Sequence, residues 1–385
     1  MTIKTYGFCL AAAFLTGTWL AKQRAVRVGL DPSVVIKTAL LAAIFGVGGA
    51  RLFYVIHYWD NFARQPHPLL SVINFRQGGL EFLGGFVCAT LAILIYLLAP
   101  RRQPDGSRAR AALPIRLYLD VLSPSLIWGL AITRIGCFFN GCCFGGVCVA
   151  AGTDEPKFPW AMRFPYSSPP FVRQWEEGRI SVPNELTFGA GNKHYQIPLN
   201  VLNAEPGRGA PRYLASALQN PSRADPSQKI SVAELRELAS GLASLPIHPT
   251  QLYAMVNAFL LSGFLSGLFW VRKRDGVVFA AMLVLYGTSR IVLEMVRTDN
   301  PHDTFGLTAS QFVSVIMIVL GVILSLVLYA YFPEQSPGAP AGVRARSDSA
   351  SRGGAAAANR GERRDGGTGM ARRRRTPASR ARRRK

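Results

Sequence analysis

The chain has 385 residues, of which 49% are hydrophobic and only 17% charged, and its mean hydropathy is positive. That balance excludes one or two ordinary soluble domains and predicts an all-α polytopic membrane protein. The formal charge of +22 is uneven, because residues 335–385 carry +12 from fourteen Arg and one Lys against Asp348, Glu362 and Asp365.

Apolar runs at residues 5–21, 34–57, 79–99, 114–133, 250–271, 276–296 and 308–332 each approach the roughly 20 residues that a helix needs to cross a bilayer. About seven transmembrane helices follow. Lys22, Arg24 and Arg27, then Arg101, Arg102, Arg108, Arg110 and Arg116, then Arg272, Lys273 and Arg274, and finally the tail all fall on one side of an alternating path. The positive-inside rule makes that side cytoplasmic, with the N-terminus outside and the C-terminus inside. Residues 5–21 are kept as a span rather than a signal peptide, since only Lys4 precedes them and no small-x-small cleavage site is clear.

The expected organisation has four parts. Residues 1–146 form a membrane domain with spans one to four, and 147–247 a large extracytoplasmic insertion. Residues 248–333 hold spans five to seven, and 334–385 a disordered Arg-rich cytoplasmic tail. The insertion is rich in Pro, Gly, Asn and Ser, which predicts loose folding with a few strands or short helices. One helix is signalled by the capping-box spacing Ser231-Val-Ala-Glu234, followed by Val232, Leu235, Leu238 and Leu242 at helical intervals. The tail cannot bury enough apolar surface to fold, and it reads as a contact for anionic lipid or a fixer of topology rather than a nucleic-acid binder.

Chemistry concentrates at Arg134-Ile-Gly-Cys-Phe-Phe-Asn-Gly-Cys-Cys-Phe-Gly-Gly146, where the fourth span meets a charge and turns into glycine-punctuated backbone. Asn140 is a neutral donor and acceptor there, and Gly141 and Gly145 let backbone approach a ligand. In the sixth span Tyr286, Arg290, Glu294 and Arg297 lie within roughly 80° of one another on a helix. An Arg or acidic residue at mid-membrane costs about 2.5–3.5 kcal/mol on insertion scales, so such a face turns to a bundle interior or a wet cavity. His248-Pro-Thr-Gln-Leu-Tyr253 opens the fifth span, and Phe75-Arg-Gln-Gly-Gly-Leu-Glu-Phe-Leu-Gly-Gly85 the third. The glycines of the latter, Gly84 and Gly85 among them, either line a pocket or permit close helix packing. With Arg51 in the second span and Tyr6 in the first, these groups outline a cationic pocket in the outer half of a bundle. Converging guanidinium forks suit a phosphate, and a phospholipid headgroup is the natural ligand.

These blocks resemble the prolipoprotein diacylglyceryl transferase family of bacterial membrane enzymes. The matching stretches are Tyr6-Gly7, Gly-Ala-Arg-Leu at 49–52, Gly-Gly-Leu-x-Phe-x-Gly-Gly at 78–85, and Arg-Ile-Gly-x-Phe-x-Asn-Gly at 134–141 with Gly145. His-Pro-Thr-Gln-Leu-Tyr at 248–253 and Tyr-Gly-x-x-Arg-x-x-x-Glu-x-x-Arg at 286–297 complete the set, and Gln311 fits as well. Two departures stand out. Leu83 occupies the place of the family's histidine in its His-Gly-Gly motif, and Cys137 and Cys142 stand where the family usually has Asn and often has Glu.

The resemblance implies transfer of diacylglycerol from phosphatidylglycerol to the lipobox cysteine of a prolipoprotein, at the bacterial inner membrane, with no cofactor and no metal. Arg134 and Arg290 would clamp the departing phosphate, with Arg297 and Arg51 as supporting charge. Tyr6, Asn140, Gly141, Gly145, Gly84, Gly85 and the glycine N–H groups would seat the headgroup. With Leu83 in the histidine's place, His248, Glu294 and Tyr286 are, in that order, the candidates for the base. Competing readings are an inactive lipid-binding relative, a transporter, and a thiol redox or metal protein using Cys137, Cys142, Cys143 and Cys148. Their C-x4-C-C-x4-C spacing fits no common metal pattern and leaves a disulfide or small pocket linings open.

Overall fold

A computed structural model describes residues 5–63, 71–72, 79, 81–99, 114–190, 193–203, 231–297 and 306–334. The chain divides into residues 1–338 and 339–385, and the second unit, with the tail expected to be disordered, lies outside the described residues.

Eleven helices are described: α1 Thr5–Arg27, α2 Pro32–His57, α3 Trp59–Ala63, α4 Phe82–Leu98, α5 Ile115–Asn140, α6 Pro169–Glu176, α7 Leu199–Leu202, α8 Val232–Ser240, α9 Thr250–Val271, α10 Val277–Met295 and α11 Ala309–Tyr331. One hairpin joins β1 Thr187–Ala190 to β2 Lys193–Gln196, with Thr187 opposite Gln196. Among the described residues α2, α5, α9, α10 and α11 are long and apolar enough to cross a membrane, and α4 is a shorter apolar helix.

Local chemistry sets the helix ends. Asp31 caps α2 by accepting from the Ser33 N–H at 2.9 Å, with Pro32 in the first turn. Thr308 and Gln311 form a reciprocal capping box at the start of α11. The fourth span does not stop at residue 133. It stays helical through Arg134 to Asn140, until Gly141 takes a left-handed backbone (φ +69°) and terminates it.

The helices pack as α1 on α5, α2 on α4, α9 on α5 and α10 on α11. α2 and α4 meet at Gly49 and Gly84, where a Cβ on either would stand 2.7 Å from the other's carbonyl oxygen. The glycines of the third-span motif therefore serve helix contact, as Gly85 also does against the Gly46 carbonyl. Asp120, fully buried in α5, accepts from the Gly276 and Phe279 N–H groups at 2.7 and 2.9 Å and pairs with Arg272 Nε at 3.1 Å. This carboxylate locks the turn between α9 and α10 onto α5. Arg24 of α1 likewise reaches Ser125 of α5 at 2.6 Å and Ser266 of α9 at 2.7 Å. Between α1, α2, α4 and α5 lies an apolar cavity of about 260 Å³, lined among others by Leu10, Phe14, Ile93, Leu122, Leu126 and Gly129.

The described residues between α5 and α9 are better packed than the composition of that segment suggests. Tyr166, Phe171, Leu186, Ile197, Leu202, Leu235 and Ala239 form a buried cluster, and the Tyr166 hydroxyl donates to the Leu186 and Ile197 carbonyls at 3.2 and 3.0 Å. The capping box at Ser231 and Glu234 is present. Leu235 enters the cluster while Leu238 remains 40% exposed.

Candidate active site

The chain that leaves α5 is threaded between the starts and ends of other helices. The Gly145 N–H donates to the His248 carbonyl, the His248 N–H to the Gly146 carbonyl, and the Gly146 N–H to the Val296 carbonyl, each at 3.0 Å, while Gly145 also bridges Arg297. A Cβ on Gly145 would lie 2.7 Å from the His248 carbonyl oxygen and from the Thr250 methyl, so only glycine fits. Thr250 and Gln251, both buried, donate to the Cys143 and Cys142 carbonyls at 2.7 and 2.9 Å. The polar residues of the His-Pro-Thr-Gln block therefore hold the signature loop in place.

This threading carries the end of α10 to the end of α5. Glu294, 3% exposed, faces Arg290 Nη2 at 3.0 Å and Arg297 Nε at 3.9 Å, and its Oε1 accepts from the Thr308 hydroxyl at 3.1 Å. Arg290 Nη2 also donates to Ser310 Oγ at 2.8 Å. Arg134 lies within electrostatic reach of Arg290. Its Nε is buried and has no hydrogen-bond partner among the described residues. Tyr6 packs against Gly136, two residues beyond Arg134, and Tyr286 lies half-buried within the field of Arg290. Among the described residues, Arg134, Arg290 and Arg297 thus share one neighbourhood, in which Glu294 flanks two of them. A buried guanidinium N–H without a partner is destabilising by more than the about 1–3 kcal/mol of a neutral donor, so the Arg134 Nε is suited to an anionic acceptor.

Other expected residues stand elsewhere. Arg51 is 5% exposed and directs Nε, Nη1 and Nη2 to the carbonyls of Val72, Gly79 and Ser71 at 2.8, 3.0 and 2.8 Å. These bonds tie α2 to residues 71, 72 and 79. Gly84 and Gly85 sit in the α2–α4 contact, and the N–H groups of Gly141, Gly145 and Gly146 are all taken by carbonyls, so these last three present no donor. Asn140 is exposed on the last turn of α5, and Leu83 is 59% exposed.

His248 turns its ring into an aromatic nook, with Nδ1 3.3 Å from the Tyr253 hydroxyl and the Phe158 ring 5.9 Å away. Burial and the nearby Lys157 ammonium hold its pKa below the ordinary histidine value, so the ring is neutral at pH 7. Thr308 and Ser310, which orient Glu294 and Arg290, were missed by pattern reading. The Thr308-Ala-Ser-Gln311 capping box was the signal available, since it sets a helix start, and its hydroxyls, beside the end of the preceding span.

The family model described as prolipoprotein diacylglyceryl transferase matches residues 1–327. A phosphatidylglycerol–prolipoprotein diacylglyceryl transferase of Rhodopirellula baltica is 26% identical, over 88% of this chain and 75% of the relative. Proteins of the same name from Corynebacterium efficiens and Bdellovibrio bacteriovorus are 23% and 26% identical, covering 85% and 84% of this chain and 78% and 89% of their own lengths. With the arginine cluster, the threaded glycine loop and a match over most of its length, the chain belongs to the prolipoprotein diacylglyceryl transferase family.

Proposed function

We propose that this chain transfers the diacylglyceryl group of phosphatidylglycerol to the lipobox cysteine of a prolipoprotein, and that Arg134, Arg290 and Arg297 form the phosphate clamp. The observation that carries this reading is the buried, unpartnered Arg134 Nε beside an Arg290–Glu294–Arg297 cluster. In the reaction a sulfur–carbon bond forms at the glycerol carbon that bears the phosphodiester, the carbon–oxygen bond to phosphate breaks, and glycerol 1-phosphate departs. The leaving group gathers negative charge on its oxygens, where fixed guanidiniums stabilise it more than they stabilise the diester. The same positive field lowers the pKa of an incoming thiol. Neutral His248 takes the thiol proton. Glu294, held between two arginines, serves as their anchor, while Tyr286 and Tyr6 line the approach and Asn140 meets the headgroup at the rim.

The apolar cavity between α1, α2, α4 and α5 is placed to take an acyl tail. Its lining residue Gly129 precedes Arg134 by five residues, or about 7.5 Å along a helix. The topology that fits this chemistry has seven crossings, with α1 and α4 completing the five long apolar helices. The N-terminus and residues 147–247 then lie outside the bacterial inner membrane and the basic loops inside. No nucleic acid and no cofactor enter the reaction.

The test incubates membranes holding the full chain with radiolabelled phosphatidylglycerol and a lipobox peptide. The parent protein is expected to label the peptide, and Arg134→Ala and Arg290→Ala to lose about 10²–10³-fold, as when a donor to a developing oxyanion is removed. Undiminished transfer in both variants would overturn the clamp, and an inactive parent would overturn the activity.

A further inference from the structure

Cys137, Cys142 and Cys143 bring their sulfur atoms within 4.8 Å of one another, although their spacing in sequence pointed away from a metal. The turn at Gly141 is responsible. Its N–H donates to the Phe138 carbonyl and the Cys142 N–H to the Cys137 carbonyl, which folds the chain back over the last turn of α5. Cys143 then takes φ +59°, a left-handed backbone that costs a residue with a Cβ about 1–2 kcal/mol. The bonds from Thr250 and Gln251 to the Cys143 and Cys142 carbonyls hold it there. All three thiols are free, Cys137 buried and the other two half-buried, while the buried Cys148 stands outside the trio.

We propose that this trio is a binding site for one thiophilic metal ion of the Zn(II) or Cu(I) class, held by three thiolates. Thiolate sulfur selects such ions over Mg²⁺ or Ca²⁺, which take oxygen ligands. Zn–S bonds of about 2.3 Å set tetrahedral sulfurs about 3.8 Å apart. The trio needs to close by about 1 Å at most to reach that figure from its 4.8 Å bound. Three thiolates around either ion make an anionic centre, and the charges of Arg134 and Arg297, both within electrostatic reach of Cys143, offset it. The loop is therefore pre-set by bonds from α9, and the site exists without a contribution from the neighbouring cysteine.

The experiment uses the full chain purified in detergent with reductant, stripped by a chelator, then exposed to Zn²⁺ or, anaerobically, to Cu(I). After gel filtration, elemental analysis is expected to find about one ion per chain, and X-ray absorption to find sulfur ligation. Cys137→Ser, Cys142→Ser and Cys143→Ser should each weaken binding by at least about tenfold in a chelator competition, while Cys148→Ser leaves it unchanged. Unfolding midpoints identify any serine variant that fails to fold, and the absorption spectrum of the parent then decides alone. Retention of Zn²⁺ or of Cu(I) against the chelator names the ion. The site is refuted by a parent that binds neither, by nitrogen or oxygen ligation only, by a reductant-resistant disulfide within the trio, or by equal loss in Cys148→Ser. Because metal content is read separately from labelled peptide, failure of this site and failure of the transferase reading remain distinct.

Discussion

Glu294→Gln removes one charge and almost no volume from the centre of the arginine cluster. The carboxylate lies 3.0 Å from Arg290 and 3.9 Å from Arg297, with a fully buried side chain. At an effective dielectric of about 20 those separations correspond to attractions of roughly 5.5 and 4.3 kcal/mol. Desolvation of the three ions offsets much of that sum, and removing one member of such a buried group typically costs about 3–5 kcal/mol, because the guanidiniums are left uncompensated. The amide can still accept from Thr308, so the loss isolates the charge. A fall of roughly 5–15 °C in the thermal unfolding midpoint follows. Transfer should drop by about 10²-fold, since Arg290 would keep Ser310 but lose the partner that aims it. Thermal unfolding in detergent and labelled-peptide formation measure the two effects. A variant with an unshifted midpoint and transfer within twofold of the parent would refute the view that Glu294 anchors the clamp.

The remaining predictions address packing, topology and protonation. Asp120→Ala leaves the Gly276 and Phe279 N–H groups without their acceptor and takes one carboxylate from the buried Arg272, which keeps Asp275 at 3.3 Å, so it should lower stability by about 2–5 kcal/mol. Transfer per folded molecule should hold, and a selective loss of turnover would show that Asp120 does more than lock helices. Gly49→Ala would set a Cβ 2.5 Å from the Cys88 Cβ and 2.7 Å from the Gly84 carbonyl, a backbone clash that should destabilise by about 1–3 kcal/mol in the same unfolding assay. The depressed pKa of His248 means that the unfolded chain binds its proton first, so this group opposes folding as pH falls below about 6.5 and has no effect above it. Transfer should accordingly be flat near pH 7 and decline only below the histidine's lowered pKa. His248→Gln should erase that limb and reduce the rate by about 10²-fold or more. A full rate in that variant would remove the histidine from proton transfer.

Much of the architecture was legible in the chain itself, because runs of apolar residues long enough to cross a bilayer leave the backbone no other way to satisfy its hydrogen bonds. Helical periodicity likewise placed Tyr286, Arg290 and Glu294 on one face, whereas Arg297, expected on the same face, lies past the end of α10 at Met295 in a bridge to Gly145; the Ser231 and Glu234 spacing marked a helix that exists. Periodicity reports a face, however, and not what that face meets. Arg51 and Arg134 look alike in sequence, and only the fold decided that the first is consumed by the carbonyls of Ser71, Val72 and Gly79 while the second keeps a buried, unpartnered Nε. The N–H groups of Gly145 and Gly146 went to His248 and Val296, partners about 100 and 150 residues away that no local pattern names. Cys137, Cys142 and Cys143 converge for the same reason, since a left-handed turn at Gly141 and hydrogen bonds from α9 set their positions. Composition and spacing thus determined which elements form and which faces are polar. Which polar groups remain for a ligand was settled by long-range hydrogen bonding, because each donor that finds a carbonyl in the fold is withdrawn from the site.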